Sequence, residues 1–156
     1  MEELILTVLL TSVPLVFAAL GELIAERSGV LNLGVEGMML MGAVAAFAAA
    51  MATGNPYVGI VAGAIAGALT AGVFAIFVLG LATNQVATGL ALTIFGTGLS
   101  GLVGASFVGH AIEGLPQLHV PFLHDLPVIG KLLFQRDLMA YGSIAMVALV
   151  AWFLAR

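Results

Sequence analysis

Apolar residues run along this chain in long blocks separated by short polar interruptions, and the block lengths match a lipid bilayer. A helix rising 1.5 Å per residue needs about 20 apolar residues to cross roughly 30 Å of hydrocarbon. Blocks of about that size fall at residues 4–20, 37–52, 57–81, 85–108 and 138–154. The pattern therefore predicts an all-α integral membrane protein with about five transmembrane helices, forming one transmembrane domain over residues 1–156. The ten-residue alternation that marks a membrane β-barrel strand is not seen.

The interruptions carry the local detail. Pro14 sits in the middle of the first block and removes one backbone hydrogen bond, so a kink is expected there. Residues 21–36 mix charges with apolar positions, too polar to cross the bilayer and too apolar to float free. A short interfacial or re-entrant segment covered by protein or a water-filled cavity is expected. Thr53-Gly54-Asn55-Pro56 reads as a tight turn. The fourth block holds Gly89, Gly96, Gly98, Gly101 and Gly104 together with Thr88, Thr93, Thr97 and Ser100, which predicts a broken or tightly packed helix. Residues 109–137 contain all three histidines and charges of both signs, so an extramembrane loop is expected, with a short helix around 129–134.

Composition agrees with this reading. Of 156 residues, 62% are hydrophobic and 8% charged, with a mean hydropathy of +1.22. A soluble domain carries roughly 25% charged residues, so a cytosolic enzyme is excluded. Between residues 37 and 112 there is no Asp, Glu, Lys or Arg. Four Lys+Arg and a net charge of −4 argue against nucleic acid as a partner. The absence of cysteine removes disulfides and thiolate metal sites. The acidic flank Met1-Glu2-Glu3 and the Gly21-Glu22 pair after the first block do not resemble a cleaved signal peptide, so that block is expected to be a retained span. Loop charges leave the orientation open. Arg27 and Arg156 fall on one face, Lys131 and Arg136 on the other.

No P-loop, HExxH pair or Gly-x-Ser-x-Gly elbow is present, so no catalytic residue, cofactor or metal site is expected. His119 and His124 lie five apart on a Pro-flanked loop and read as ordinary loop histidines rather than zinc ligands. Four uncharged polar residues are candidates for a solute pathway: Asn32, Asn84, Gln85 and Thr88. Hydrogen-bonding groups without charge suit a neutral cargo, because they replace lost water contacts without trapping an ion. The competing reading is structural. Asn32 can satisfy loop backbone, and Thr83 or Asn84 can cap a helix with Gln85 facing headgroups. Glu36 reads first as a structural helix start, favoured by the exposed amides and dipole of a helix N-terminus. Gly59, Gly63 and Gly67 at a spacing of four read as a helix-packing stripe.

The run from Gly21-Glu22-Leu23 through Asn32-Leu33-Gly34-Val35-Glu36-Gly37-Met38-Met39 resembles the signature segment of bacterial ABC importer permeases of the branched-chain amino acid and ribose type. Asn84-Gln85-Val86-Ala87-Thr88-Gly89-Leu90-Ala91-Leu92 is similar to that family's second recognisable stretch. Together they look most like the simple-sugar and nucleoside branch. The resemblance implies a multi-pass, pore-forming permease of the bacterial inner membrane, itself not an enzyme. Its implied partners are a second permease subunit, cytoplasmic ATPase subunits that hydrolyse ATP, an extracytoplasmic solute-binding protein and membrane lipid. It further implies that residues 109–137 are extracytoplasmic and that 21–36 approach the cytoplasmic side. Such permeases are about twice as long, with a basic ATPase-docking loop after the fifth span, so an N-terminal half is expected here and no docking residue is nominated. The alternatives are a branched-chain amino acid importer permease, a homo-oligomeric channel or secondary carrier, and a purely structural membrane subunit. An ion-coupled carrier usually keeps an ionisable residue at mid-span, and residues 37–112 hold no Asp, Glu, Lys or Arg.

Overall fold

In the computed structural model the described residues are 2–112, 114–116, 118–119, 135–136 and 138–155. They form an all-α membrane protein apart from one two-residue strand pairing. The helices are α1 (Glu2–Arg27), α2 (Val35–Thr53), α3 (Pro56–Ala75), α4 (Gln85–Gly104) and α5 (Leu138–Leu154). A π-helical turn, Ile76–Gly80, extends α3, and a 3-10 turn, Ala105–Phe107, extends α4. Three of these stretches, Val35–Thr53, Pro56–Gly80 and Gln85–Phe107, are long and apolar enough to cross a membrane, and Leu138–Leu154 is a shorter apolar helix. Large apolar side chains point outward along them: Leu69 is 67% exposed, Ile94 74% and Leu102 75%. In water such a surface would aggregate; against lipid tails it is already solvated.

The chain divides into two units. One comprises Met1–Ile24 with Leu115–Arg156. Within it α1 runs unbroken through Pro14. The Phe17 ring packs within 3.6 Å of the position a Cβ on Gly142 would take, joining α1 to α5. Strands β1 (Leu118–His119) and β2 (Gln135–Arg136) pair antiparallel, Leu118 opposite Arg136 and His119 opposite Gln135. On α5 Ala140, Ser143 and Val150 are buried, and the Ser143 hydroxyl donates to the Ala140 carbonyl at 2.7 Å. The short helix expected around 129–134, and His124, lie outside the described residues.

The second unit, Ala25–Gly114, is organised around α2. Both α3 and α4 pack mainly on α2 and little on each other. The α2–α3 contact is made by small residues. A Cβ on Gly59 would lie 2.7 Å from the Ala46 carbonyl oxygen, and one on Gly63 2.9 Å from that of Gly42. The third member of the expected stripe departs from it, since a Cβ on Gly67 would meet nothing within 4 Å. The α2–α4 contact is tighter still: a Cβ on Gly37 would stand 2.5 Å from the Leu92 carbonyl oxygen, and one on Gly96 2.6 Å from the Gly37 Cα. Helix α4 is thus packed backbone to backbone, and its α-helical turns are unbroken from Gln85 to Gly104. Buried Met38, Phe74, Val78 and Leu92 form the core of this unit, with Val30 packed against them.

The α2–α3 turn follows from its residues. Gly54 takes the left-handed conformation (φ 66°) that closes α2, and its N–H reaches the Ala50 carbonyl at 2.8 Å. Asn55 then caps α3, accepting from the Tyr57 N–H at 2.9 Å, with Pro56 at the first helical position.

Gly96→Ala is expected to destabilise the unit by about 1–3 kcal/mol, because backbone rather than a flexible side chain must yield. Gly98→Ala, whose Cβ would meet nothing within 4 Å, serves as its control. Thermal unfolding in detergent should show a clearly lower midpoint for the first and none for the second; equal midpoints would contradict the close α2–α4 contact.

Candidate functional site

Because α3 and α4 lean on α2 and not on each other, a groove of about 520 Å³ opens between them. Its walls are Phe74 and Phe77 from α3 and its π-turn, and Leu92 and Phe95 from α4, with Thr70 and Thr88 as its hydroxyls. The Thr70 hydroxyl hydrogen-bonds within its own helix, to the Ala66 carbonyl at 3.0 Å and that of Gly67 at 2.9 Å. Thr88 Oγ1 lies 2.9 Å from Thr83 Oγ1. No ionisable side chain lines the groove, so it offers aromatic faces, aliphatic surface and hydroxyl lone pairs. Such a lining is suited to stacking and hydrogen-bonding an uncharged molecule.

The four pathway candidates gather around the N-terminal end of α4. Asn84 caps that helix, its Oδ1 accepting from the Ala87 N–H at 3.0 Å. Gln85 reaches across the unit, its Oε1 accepting from the Leu31 N–H at 2.7 Å. Asn32 lies in the same loop, where its Oδ1 accepts from the Gly34 N–H at 2.9 Å. Thr93 completes the attachment by donating to the Leu33 carbonyl at 2.8 Å. Of the four candidates only Thr88 lines the groove. Glu36 is exposed in the first turn of α2, where the helix dipole favours a carboxylate.

The mixed segment 21–36 therefore has three parts. Up to Arg27 it continues α1, from 28 to 34 it is a non-helical loop laid on α4, and from Val35 it is α2. The loop comes so close that a Cβ on Gly89 would lie 2.9 Å from both the Leu33 and the Gly34 nitrogens. Non-helical backbone packed against a helix leaves polar groups to be matched, and the Gln85 and Thr93 side chains match the Leu31 N–H and the Leu33 carbonyl.

Sequence reasoning did not single out Phe74, Phe77 or Phe95, and it named Thr93 only among the hydroxyl residues of the fourth block. The three aromatics sit in long apolar helices whose few hydroxyls define no single polar face, so the sequence does not mark which side is inward. Gln85–Leu31 and Thr93–Leu33 join residues more than fifty positions apart, which no local pattern reveals. Among the described residues no cluster of three potential metal ligands occurs.

Comparison with known proteins places these features in context. The profile of the family described as "Branched-chain amino acid transport system / permease component" matches residues 4–156. A Haloferax volcanii protein named as a glucose ABC transporter permease is 42% identical over 146 residues, covering 91% of this chain and 44% of its own. A nucleoside ABC transporter permease of Lactococcus lactis is 27% identical, covering 98% of this chain and 51% of its own. A guanosine ABC transporter permease of Bacillus subtilis is 30% identical, covering 94% and 49%. The chain thus spans about half the length of the curated relatives it matches. No solved structure matches it.

Gln85→Leu is expected to leave the Leu31 N–H unmatched and to speed its hydrogen exchange, whereas Asn84→Ala should lower helix stability by about 1 kcal/mol while leaving Leu31 protected. Exchange measured on a peptide covering 28–34 separates the two; equal protection of Leu31 in native protein and Gln85→Leu would refute the docking role.

Proposed function

Since the chain belongs to the family of branched-chain amino acid transport system permease components, we propose that it supplies part of the membrane pore of an ATP-driven importer whose cargo is a nucleoside or a simple sugar. What carries the reading is the similarity to permeases named for glucose, nucleosides and guanosine, which extends over nearly the whole of this chain. The chemistry of the Ala25–Gly114 unit is in keeping with it. A sugar or nucleoside is neutral, with hydroxyls to hydrogen-bond and an apolar face to stack, and an uncharged groove with three phenylalanines and two threonines suits both.

Energy for uphill movement then comes from outside this chain. Residues 37–112 hold no ionisable Asp, Glu, Lys or Arg that a proton or sodium ion could engage. Cytoplasmic ATPase subunits would hydrolyse the ATP, and an extracytoplasmic solute-binding protein would deliver cargo. A second permease subunit would complete the pore in the bacterial inner membrane. In this arrangement 109–137 face the binding protein and 21–36 the cytoplasmic side. Spans at 4–20, 37–52, 57–81, 85–108 and 138–154 carry the chain across. Thr88 is the pathway residue that touches solute, while Asn32, Asn84 and Gln85 hold the wall that presents it. Alternating access would move the solute past this wall.

Reconstitution of the complete transporter in proteoliposomes, with its binding protein outside and ATP inside, tests the proposal. Labelled uridine or glucose should accumulate only with hydrolysable ATP, and Thr88→Leu should depress that uptake several-fold without loss of assembly. Accumulation of leucine alone would assign the permease to branched-chain amino acids, and uptake driven by a proton gradient without ATP would make it a secondary carrier.

A further inference from the structure

The end of α3 abandons the α-helix at the point where the chain turns toward α4. Over Ile76–Gly80 it widens into a π-turn, closed by the Leu81 N–H on the Ile76 carbonyl at 3.0 Å. Such turns are uncommon and concentrate at functional sites. Two residues later Ala82 has φ 50°, a left-handed conformation that is costly for a residue with a Cβ. Two unfavourable backbone features within seven residues need something to hold them.

Thr83 is the residue that does so. Its N–H reaches the Phe77 carbonyl at 3.1 Å and its Oγ1 the same carbonyl at 2.9 Å. Its Oγ1 is also 2.9 Å from Thr88 Oγ1. A hydroxyl has one proton to give. With the Thr83 proton committed to the Phe77 carbonyl, the Thr88 hydroxyl is the donor to Thr83, and the chain of bonds runs from Thr88 through Thr83 to Phe77. Both ends of that chain are groove residues, Thr88 on the α4 wall and Phe77 on the α3 wall. Thr83 therefore couples the shape of the turn to the spacing of the walls.

We propose that Thr83 is a conformational latch. With its bonds made, the π-turn and Ala82 stay in their strained form and the two walls of the groove are fixed relative to each other. When the bonds to Phe77 and Thr88 break, the turn leaves the π form, Ala82 relaxes, and Phe77 moves with respect to Thr88. The latch is a property of the α3–α4 connection and holds whatever solute the groove serves.

Hydrogen exchange read by mass spectrometry on the protein in lipid nanodiscs tests it. Thr83→Val keeps the shape and removes the hydroxyl. The amides of residues 81 and 83 should then exchange at least about fivefold faster, because the hydroxyl's bonds to the Phe77 carbonyl and from Thr88 are both lost, with the amides of residues 42–50 in α2 unchanged. Adding Ala82→Gly relieves the left-handed strain and should bring the rates back toward native. Native rates in Thr83→Val would overturn the latch, and so would equal acceleration in α2, which would make Thr83 part of general packing. Further acceleration on adding Ala82→Gly would overturn the claim that strain at Ala82 is what the latch restrains.

Discussion

The fold of the Ala25–Gly114 unit depends on backbone meeting backbone between α2 and α4. In water two apolar helices associate by expelling solvent, but lipid tails are as apolar as the helices, so that drive is absent and attraction comes from close contact. Gly37 and Gly96, and Gly89 against the Leu33–Gly34 backbone, put no side chain of their own between the elements at their closest approach. Carbonyl and Cα–H groups are brought within reach of each other, each contact weak and the row of them substantial. The same approach presses the 28–34 loop onto α4, which is what permits its amides and carbonyls to be matched by Gln85 and Thr93 instead of water.

The groove is a consequence of that seam. With α2 contacted by α4 along one side and by Gly59 and Gly63 of α3 along another, the two outer helices have little surface left for each other, and space opens between them. The polar residues near it are largely engaged in holding backbone, and the space itself is lined with aromatic and aliphatic groups and two hydroxyls. A wall of this kind offers no charged group to an ion. It is in keeping with the family of permease components to which the chain belongs.

The apolar blocks made the helices legible in the sequence, because lipid imposes length and composition directly. The Gly59/Gly63 contact was legible from its spacing of four, whereas nothing local distinguishes Gly67, where a Cβ would meet nothing within 4 Å. The Gly37–Gly96 seam pairs residues from separate helices and is written in neither one alone. Around α4 the residue types announced polar work but not its target: Asn84 caps its own helix, while Gln85 serves an amide in a distant loop. The π-turn left no signal, since Ile76-Phe77-Val78-Leu79-Gly80 reads as ordinary apolar helix and its cause lies in Thr83. The charged residues of 21–27 suggested an end to the first helix, yet α1 continues to Arg27, because charge at a helix end facing water or headgroups does not interrupt its hydrogen bonds.

The seam is tested most directly by cross-linking in native membranes, which the cysteine-free sequence makes unambiguous. A Cβ on Gly104 would lie 3.6 Å from Val44 Cγ2 at the far end of the same α2–α4 contact, near enough for a disulfide. Oxidation of the Val44→Cys, Gly104→Cys double variant should join the α2 and α4 peptides in one mass-spectrometric species, with no such species from Val44→Cys paired with Gly67→Cys. Absence of the first link, or equal formation of both, would contradict the arrangement on which the groove and its latch are built.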